Sequence, residues 1–159
     1  MKREIGNAIR LDHSPLHLLH RAGQCAGDIY SAEMSPIAIT PRQFAVLATV
    51  AGAEGLSQTE LVVRTGIDRS TLADIVGRML RKGLLHRRRT KDDARAYAVR
   101  LTEEGRRIFE SAEPIVRRVD GRLLETIPEK RRQQFLEDLA MLVELLNRPE
   151  ATIPIPRAK

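Results

Sequence analysis

The chain has few residues of the types that often define a function directly. Its 159 residues include one cysteine, three phenylalanines, two tyrosines and no tryptophan. The single cysteine, Cys25, excludes an intrachain disulfide and suits a reducing cytoplasm. No segment approaches the roughly 18 apolar residues of a membrane span, and the N-terminus lacks the apolar segment of a signal peptide. We therefore expect a cytoplasmic protein with no membrane partner.

The shortage of aromatic residues also limits the core and the chemistry. The core must consist of Leu, Ile, Val and Ala, and the abundance of Leu and Ala in the periodic segments favours helices. The length fits one domain of ordinary size. No Ser/His/Asp set, glycine-rich phosphate loop or metal motif stands at a recognisable spacing. The sequence predicts a protein that is not an enzyme and holds no cofactor or metal.

Positive charge is concentrated in one part of the chain. Residues 64–100 hold 11 Lys and Arg against 4 Asp and Glu, a net of +7, whereas the formal net charge of the whole chain is +6. The remaining residues therefore carry a slight negative excess. A charge that served solubility alone would be spread more evenly, so this pattern indicates a surface for an anionic polymer.

Helix-start signals recur along the chain. A capping residue followed by Pro, or by Glu or Gln three positions later, marks the beginning of a helix. The caps are Ser14, Thr40, Ser57, Asp68 and Thr102, and Pro128 opens a last helix. We expect the first helix over about 14–34. Pro114 predicts a kink or a local break in the helix after Thr102.

Only the turn "TGID" separates two predicted helices, which start after Ser57 and Asp68. This is helix-turn-helix spacing. Two short strand candidates, "LLHRRR" and "AYAVRLT", follow directly and flank a charged loop. The predicted fold is mainly α with a small β-hairpin wing: a winged helix-turn-helix between terminal helices.

The run from Leu56 to Gly105 resembles the MarR family of transcriptional regulators. The matching motifs are "L-S-Q-x-E-L", "D-x-S-T-L", "L-x-x-K-G-L-L", the wing "D-x-R" and "L-T-x-x-G". The segments "TGIDRSTLADIV" and "RRRTKDDARAYAV" resemble a subgroup with repressors of nicotinate and other aromatic-acid catabolism.

The resemblance implies a homodimer in which the terminal helices interlock and two winged helices address a palindromic operator on double-stranded DNA. It also implies a small-molecule effector, such as an aromatic acid, and hence a repressor of a catabolic or efflux operon. The corresponding domains are an N-terminal dimerisation and effector helix, 1–36; the winged helix, 37–101; C-terminal dimerisation helices, 102–148; and an extended tail, 149–159.

The recognition helix of a helix-turn-helix enters the major groove with its N-terminal residues first. Arginine can pair with guanine, and hydroxyl side chains can reach base edges or phosphates. Asp74 can accept a hydrogen bond from cytosine or hold Arg78 within the helix. An ordinary amphipathic helix with a solvated face is the alternative. The candidate DNA-binding residues of this helix are Arg69, Ser70, Thr71, Asp74 and Arg78.

The wing adds a second candidate set. Arg95 is expected to enter a minor groove, while Arg87, Arg88, Arg89 and Lys91 meet phosphates. Asp93 can hold the Arg95 guanidinium in place, which lowers the entropy that this side chain loses on binding. The alternative is a hairpin whose charges serve solubility only.

The effector site is less defined. His13, His17 and His20 share helical spacing in the first helix, with Arg21 beside them, which is compatible with a polar dimer seam, a carboxylate pocket or a metal site. Tyr30 and Phe44 can line an aromatic pocket or belong to the core.

Cys25 raises a further alternative, a redox-sensing regulator, against a small buried core cysteine. A non-catalytic dimeric interaction module is the remaining alternative function.

Overall fold

The structure, a computed structural model, describes residues 10–53, 55–89 and 97–147. The described residues form six α-helices and one antiparallel hairpin, preceded by a 3-10 turn at Leu11–His13. The chain divides into two compact units after Val119. The elements are α1 (Pro15–Met34), α2 (Pro41–Gly52), α3 (Gln58–Thr65), α4 (Arg69–Arg81), β1 (Leu85–Arg89), β2 (Tyr97–Leu101), α5 (Glu103–Glu125) and α6 (Glu129–Leu146). The predicted fold class is confirmed.

The predicted caps begin the helices as expected. Ser14 caps α1 by accepting a hydrogen bond from the His17 amide. At α2 the Gln43 amide donates to the Thr40 hydroxyl at 3.2 Å, and the Gln43 side chain accepts from the Thr40 amide at 2.9 Å. Such reciprocal pairs satisfy amides that the helix itself leaves without partners.

The same reciprocal cap starts α3, and a glycine ends this helix. The Glu60 carboxylate accepts from the Ser57 amide, which lowers the pKa of Glu60 below its usual range. Gly66 ends α3 with φ +66°, a left-handed conformation that glycine adopts at little cost. The tight turn after α3 brings α4 across it, which gives the helix-turn-helix geometry.

The core of the winged helix is made where α2, α3, α4 and the hairpin meet. Complete burial of a side chain as large as leucine contributes roughly 1.5–3 kcal/mol. On the inner face of α4, Leu72, Ile75, Val76 and Met79 are buried, and Leu80 is half-buried. The largest side chains below 2% exposure in these four elements are Leu47, Leu61, Leu72, Met79, Val46, Val76 and Val99.

The hairpin has a fixed register. Leu85 pairs with Leu101, Arg87 with Val99 and Arg89 with Tyr97. An isolated bridge adds Leu56 beside β2, and its carbonyl accepts from the Val99 amide at 2.8 Å. Because Leu56 and Val99 are both buried, this bridge fixes the base of the wing to the start of the helix-turn-helix.

The end of α4, the start of β1 and the start of α5 meet at Leu84. Gly83, at φ +70°, ends α4, and the Leu84 amide returns to the Met79 carbonyl in a Schellman arrangement. The Leu84 carbonyl then accepts from the Thr102 amide at 3.1 Å, and the Thr102 hydroxyl donates to the Gly83 carbonyl at 2.6 Å. The Gly105 amide donates to the Thr102 hydroxyl. We call these residues, 83–84 and 102–105, the hinge lock.

Three expectations from the sequence need correction. The local break at Pro114 is wrong, because α5 runs without interruption from Glu103 to Glu125. His13 belongs to the 3-10 turn before α1, so it does not continue the helical face of His17. Cys25 is exposed on α1 rather than buried.

The large apolar side chains in the first half of α1 are exposed in a single chain. Leu16 is 80% exposed and Leu19 is 42% exposed, and the buried residues of α1 are Tyr30 and Met34 near its C-terminus. No residue of α6 is buried, although this helix carries several large apolar side chains. Both helices thus present apolar faces that nothing in the described chain covers.

We expect Gly105→Ala to destabilise the protein. A Cβ at Gly105 would overlap the Leu84 carbonyl oxygen and lie 2.9 Å from its carbonyl carbon, and these backbone atoms cannot rotate away. The free energy of unfolding should fall by about 1–3 kcal/mol or more, measured by urea denaturation.

Gly77→Ala is the matched control for this substitution. A Cβ at Gly77 would meet only the flexible Arg81 side chain at 3.6 Å. This variant should gain up to ~1 kcal/mol from helix propensity. Equal effects of the two alanines would show that the contact at Leu84 does not limit the packing of α5.

Candidate nucleic-acid interface

The start of α4 is held by Asp68. Its carboxylate accepts from the Thr71 amide at 2.9 Å and from the Ser70 hydroxyl at 2.7 Å. Ser70 and Arg69 are exposed, whereas Thr71 is half-buried. The sequence interpretation of Asp68 as a cap is confirmed, and the cap fixes the direction in which the exposed first turn points.

Hydrogen bonds from Thr71, followed by that from Ser70, hold the pKa of Asp68 well below its usual range. The carboxylate is therefore ionised at neutral pH. A negative charge at this end complements the helix dipole. Asp68 thus stabilises the N-terminus of α4, and Arg69 is the first cation on the exposed face of this helix.

Asp74 and Arg78 form an ion pair one turn apart on the exposed side of α4. The Arg78 Nε donates to Asp74 Oδ1 at 3.1 Å, and a second, closer bond joins Nη2 to Oδ2. The bond from Arg78 lowers the pKa of Asp74, and the same pairing raises the pKa of Arg78. Of the two interpretations for Asp74, the intrahelical pair is the one present, and it presents the Arg78 guanidinium in a fixed orientation.

A cleft of about 420 Å³ runs between α4 and the first turn of α2. Arg42 lines it together with Thr71, Asp74 and Arg78. Arg42 was not among the candidate residues from the sequence, although it lies in the first turn of α2, two residues after the cap Thr40. The cleft adds a cation from another helix to the surface of α4.

The arginines of β1 do not form one cluster. Successive strand residues point to opposite faces, and the register places Arg87 and Arg89 on the face of Val99 and Tyr97. Arg88 lies on the other face, opposite Ala98. All three arginines are exposed. The Arg89 guanidinium carbon lies 6.0 Å from the centre of the Tyr97 ring, close enough for a cation–π contact.

Three predicted wing residues lie outside the described residues: Lys91, Asp93 and Arg95. Their predicted contacts with DNA and with each other remain predictions. The two strands lie within the strand candidates: β1 starts one residue later than "LLHRRR", and β2 is one residue shorter at each end than "AYAVRLT".

The structure does not bring the candidate effector residues into one group. His17, His20 and Arg21 lie on the first half of α1, with His17 half-buried and the other two exposed. Tyr30 lies 13 residues after His17, which is ~20 Å along a helix. In the described part of the chain, no group of three His, Cys, Asp or Glu side chains is placed to hold a metal ion.

Tyr30 is the most distinctive of these residues. Its hydroxyl is buried with no hydrogen-bond partner among the described residues, and burial raises its pKa to about 12. It borders a cleft of about 220 Å³ whose walls include Met34, Ile39 and Pro41. A buried hydroxyl without a partner costs about 1–3 kcal/mol, so an acceptor in this cleft would relieve that cost.

Phe44 has a partner that the sequence did not indicate. Its ring stacks on Phe109 of α5, with centroids 5.8 Å apart and ring planes 26° apart. Both rings are half-buried. The contact joins α2 to the first half of α5, and it required the tertiary structure because the two residues are far apart in sequence.

Comparison with known proteins gives a consistent match. A family model described as "MarR family" matches residues 39–96. The HTH-type transcriptional repressor Rv2887 of Mycobacterium tuberculosis is 27% identical over 132 residues, covering 82% of this chain and 95% of the repressor.

The described residues contain no helix long and apolar enough to cross a membrane.

Two solved structures resemble the fold closely. PcaV, a transcriptional regulator from Streptomyces coelicolor in complex with its natural ligand, matches with a TM-score of 0.81 and 30% identity, covering 87% of this chain and 97% of PcaV. The transcriptional repressor CouR, bound to a 23-mer DNA duplex, matches with a TM-score of 0.78 and 27% identity, covering 90% and 99%. A CouR structure from Rhodococcus jostii contains p-coumaroyl-CoA, and an Rv2887 structure contains salicylic acid.

We expect the stability provided by Asp68 to depend on pH. Its pKa is lower in the folded protein than in the unfolded chain, where it is about 3.9. The contribution is therefore complete above about pH 4 and is lost as the pH falls through the folded-state pKa. Asp68→Asn retains an oxygen acceptor for the cap but does not titrate.

Thermal unfolding followed by circular dichroism between about pH 3 and 7 measures this effect. The wild-type protein should unfold a few degrees above Asp68→Asn at neutral pH, and the difference should shrink below about pH 4. A constant difference across the range would mean that the ionised carboxylate is not what stabilises the start of α4.

Proposed function

Because this chain belongs to the MarR family of transcriptional regulators, we propose that it is a homodimeric repressor that binds a palindromic operator and is released by a small aromatic carboxylate. Members of this family act by regulating transcription and not by catalysis. The observation that carries the proposal is the set of exposed cations on α4 and on the neighbouring strand β1. In the proposal α4 reads the major groove and the wing meets the flanking backbone.

The residues of α4 divide into two roles. Arg69 and Ser70, exposed in the first turn, are placed to reach base edges, while Thr71 and Arg42 border the cleft beside the helix. Arg78 is already oriented by Asp74, so it loses less side-chain entropy when it contacts DNA. The paired acid then assists binding even though it lowers the net charge.

The proposed dimer follows from the uncovered apolar faces. In α1, Leu16, Leu18 and Leu19 are each more than 40% exposed. In α6, Met141, Val143 and Leu146 are each more than 50% exposed. Several large exposed apolar side chains on one helix are typical of a protein interface. A second copy of the chain is the proposed cover, and the two-fold symmetry of the dimer would match a palindromic operator.

The proposed effector site is the cleft at Tyr30. Its phenol, whose pKa burial raises to about 12, is protonated at neutral pH as any ordinary tyrosine is, and it can donate to a carboxylate. The apolar walls suit an aromatic ring. Thr40 and Pro41 border both this cleft and the one beside α4, so a ligand here contacts the turn that faces the recognition helix. Salicylic acid bound to Rv2887 is an example of the ligand class in a relative.

Operator binding is the first test. In a gel shift with the DNA upstream of its own gene, Arg95→Ala should lower affinity by at least about tenfold, since a guanidinium in a narrow minor groove is lost. Asp93→Ala should also weaken binding, because the brace of Arg95 is removed although the wing becomes more positive.

Lys130→Ala is the control, because it removes an exposed cation of α6 outside the proposed DNA surface. Its affinity should equal that of the wild type. Unchanged binding by Arg95→Ala at moderate salt would refute the wing contact, and tighter binding by Asp93→Ala would refute the brace. Sedimentation equilibrium of the free protein should give the mass of two chains.

Ligand binding is the second test. A screen of aromatic carboxylates and their thioesters by thermal shift should find a stabilising ligand, because a ligand at 100 times its dissociation constant adds ~2.7 kcal/mol. Tyr30→Phe should reduce the shift by removing the donor. Tyr97→Phe changes the only other tyrosine of the chain, which lies on the hairpin, and should leave the thermal shift unchanged.

The same ligand should release the operator in the gel shift. An equal thermal shift for the wild type and both tyrosine variants would exclude the Tyr30 cleft. Arg21→Gln would then test the alternative carboxylate pocket on the first half of α1, which also includes His17 and His20.

A further inference from the structure

A small basic pocket lies at the base of the hairpin, away from the exposed face of α4. Its basic lining comes from β1, β2 and the first turn of α5: His86, Arg88, Arg100 and Arg106. Its volume is about 130 Å³. Val50 of α2 and Leu101 of β2 form its apolar part. We call this cluster the hairpin-base pocket.

The face of the hairpin explains how the pocket forms. His86 pairs with Arg100 across the strands, and Arg88 stands two residues further along the same face. This is the face opposite Arg87 and Arg89. The wing arginines are therefore divided between two surfaces, and Arg88 belongs to the pocket.

The position of Arg106 depends on the hinge lock. The Thr102 hydroxyl joins the Gly83 carbonyl to the Gly105 amide, and Gly105 packs directly on Leu84. Arg106 is the next residue, and its amide donates to the Thr102 carbonyl. The lock therefore holds an α5 cation beside the hairpin cations, on a backbone that has little freedom to move them apart.

The pocket has basic side chains from β1 and α5 without an acidic neighbour in its described lining. Among the described residues, none of the lining side chains is acidic, and no ion pair engages His86, Arg88 or Arg106. The nearby Glu104 is paired with Arg107. The guanidinium groups of Arg88 and Arg106 repel each other, and an anion between them would offset this repulsion.

The size and the donors select the kind of anion. At about 130 Å³ this pocket is smaller than the Tyr30 cleft of about 220 Å³, and its size suits a small ion or a single charged group. Guanidinium groups match phosphate oxygens with paired donors, and Val50, only 2% exposed, limits water on one side. We propose that the hairpin-base pocket binds a single phosphate group, held by Arg88, Arg106 and His86.

Phosphate binding to the free protein is the primary test. Titration calorimetry with inorganic phosphate, against sodium chloride of equal ionic strength, should detect binding to the wild type. Arg106→Gln should weaken it by about tenfold, which corresponds to ~1.4 kcal/mol. His86→Gln should weaken it as well.

Arg118→Gln is the matched control, since Arg118 is an exposed arginine of the same helix outside the pocket. It should bind phosphate as the wild type does. Circular dichroism should show that Arg106→Gln remains folded. Equal phosphate affinity in the wild type, Arg106→Gln and Arg118→Gln, or no phosphate binding by the wild type, would overturn the proposal.

A second arm identifies the source of the phosphate. The upstream DNA is used as a short core duplex and as the same core extended at both ends. If the phosphate belongs to flanking DNA, extension should raise the affinity of the wild type but not of Arg106→Gln, and inorganic phosphate should compete with the extension. If it belongs to a small molecule, extension should have no effect that depends on Arg106, and phosphate should bind the complex.

The outcome is separable from that of operator recognition. Arg106 lies outside the proposed base-reading set, so Arg106→Gln should still bind the core duplex. Failure of the wild type to bind the upstream DNA would refute the proposed repressor function while leaving the phosphate titration valid. Retained core binding without any phosphate binding would refute the hairpin-base pocket alone.

Discussion

The hydrogen bonds and close packing at Leu84 are the constraint on which the DNA-binding part depends. Gly83 ends α4, and Leu84 leads into β1. The carbonyl groups of these two residues accept hydrogen bonds from Thr102, the residue before α5. Gly105 allows α5 to lie directly on this backbone. Since a closely packed contact transmits strain and does not deform gradually, the end of α4, the start of β1 and the start of α5 are held together at this point. We therefore expect a displacement of the start of α5 to reach α4 and the hairpin.

The same constraint distributes the positive charge. The basic region of residues 64–100 has no single direction on the folded protein. Arg78 of α4 shares a cleft with Arg42. Arg87 and Arg89 lie on the face of Val99, and Arg88 lines the hairpin-base pocket with Arg106. Charges that the sequence places side by side are separated by strand alternation, while charges far apart in the chain are brought together by the hinge lock.

Much of the fold was predictable because its signals are local. A cap acts on amides two or three residues away, so Thr40, Ser57 and Asp68 marked their helices correctly. A left-handed glycine ends a helix by its own conformation, as at Gly66 and Gly83. The break expected at Pro114 was wrong, because the helix tolerated one missing amide donor where the rest of α5 continued its periodic packing.

The candidate sites were less predictable because they depend on distant residues. Asp74 had two possible partners in sequence, and the fold pairs it with Arg78. The histidines of α1 looked like a cluster, but His13 lies in a separate turn and no metal-binding group of three side chains forms among the described residues. Phe44 was selected, yet its stacking partner Phe109 was not, since nothing local links them.

The sequence by itself determined the winged helix, the family and the location of the excess charge, because capping, periodicity and composition act over a few residues. Only the tertiary structure decided which cations share a surface, which apolar stripes stay uncovered and which hydroxyl is buried without a partner. These properties depend on elements that meet at Leu84 and at the α1–α2 junction. The distances between such elements are set by packing, which no short stretch of sequence encodes.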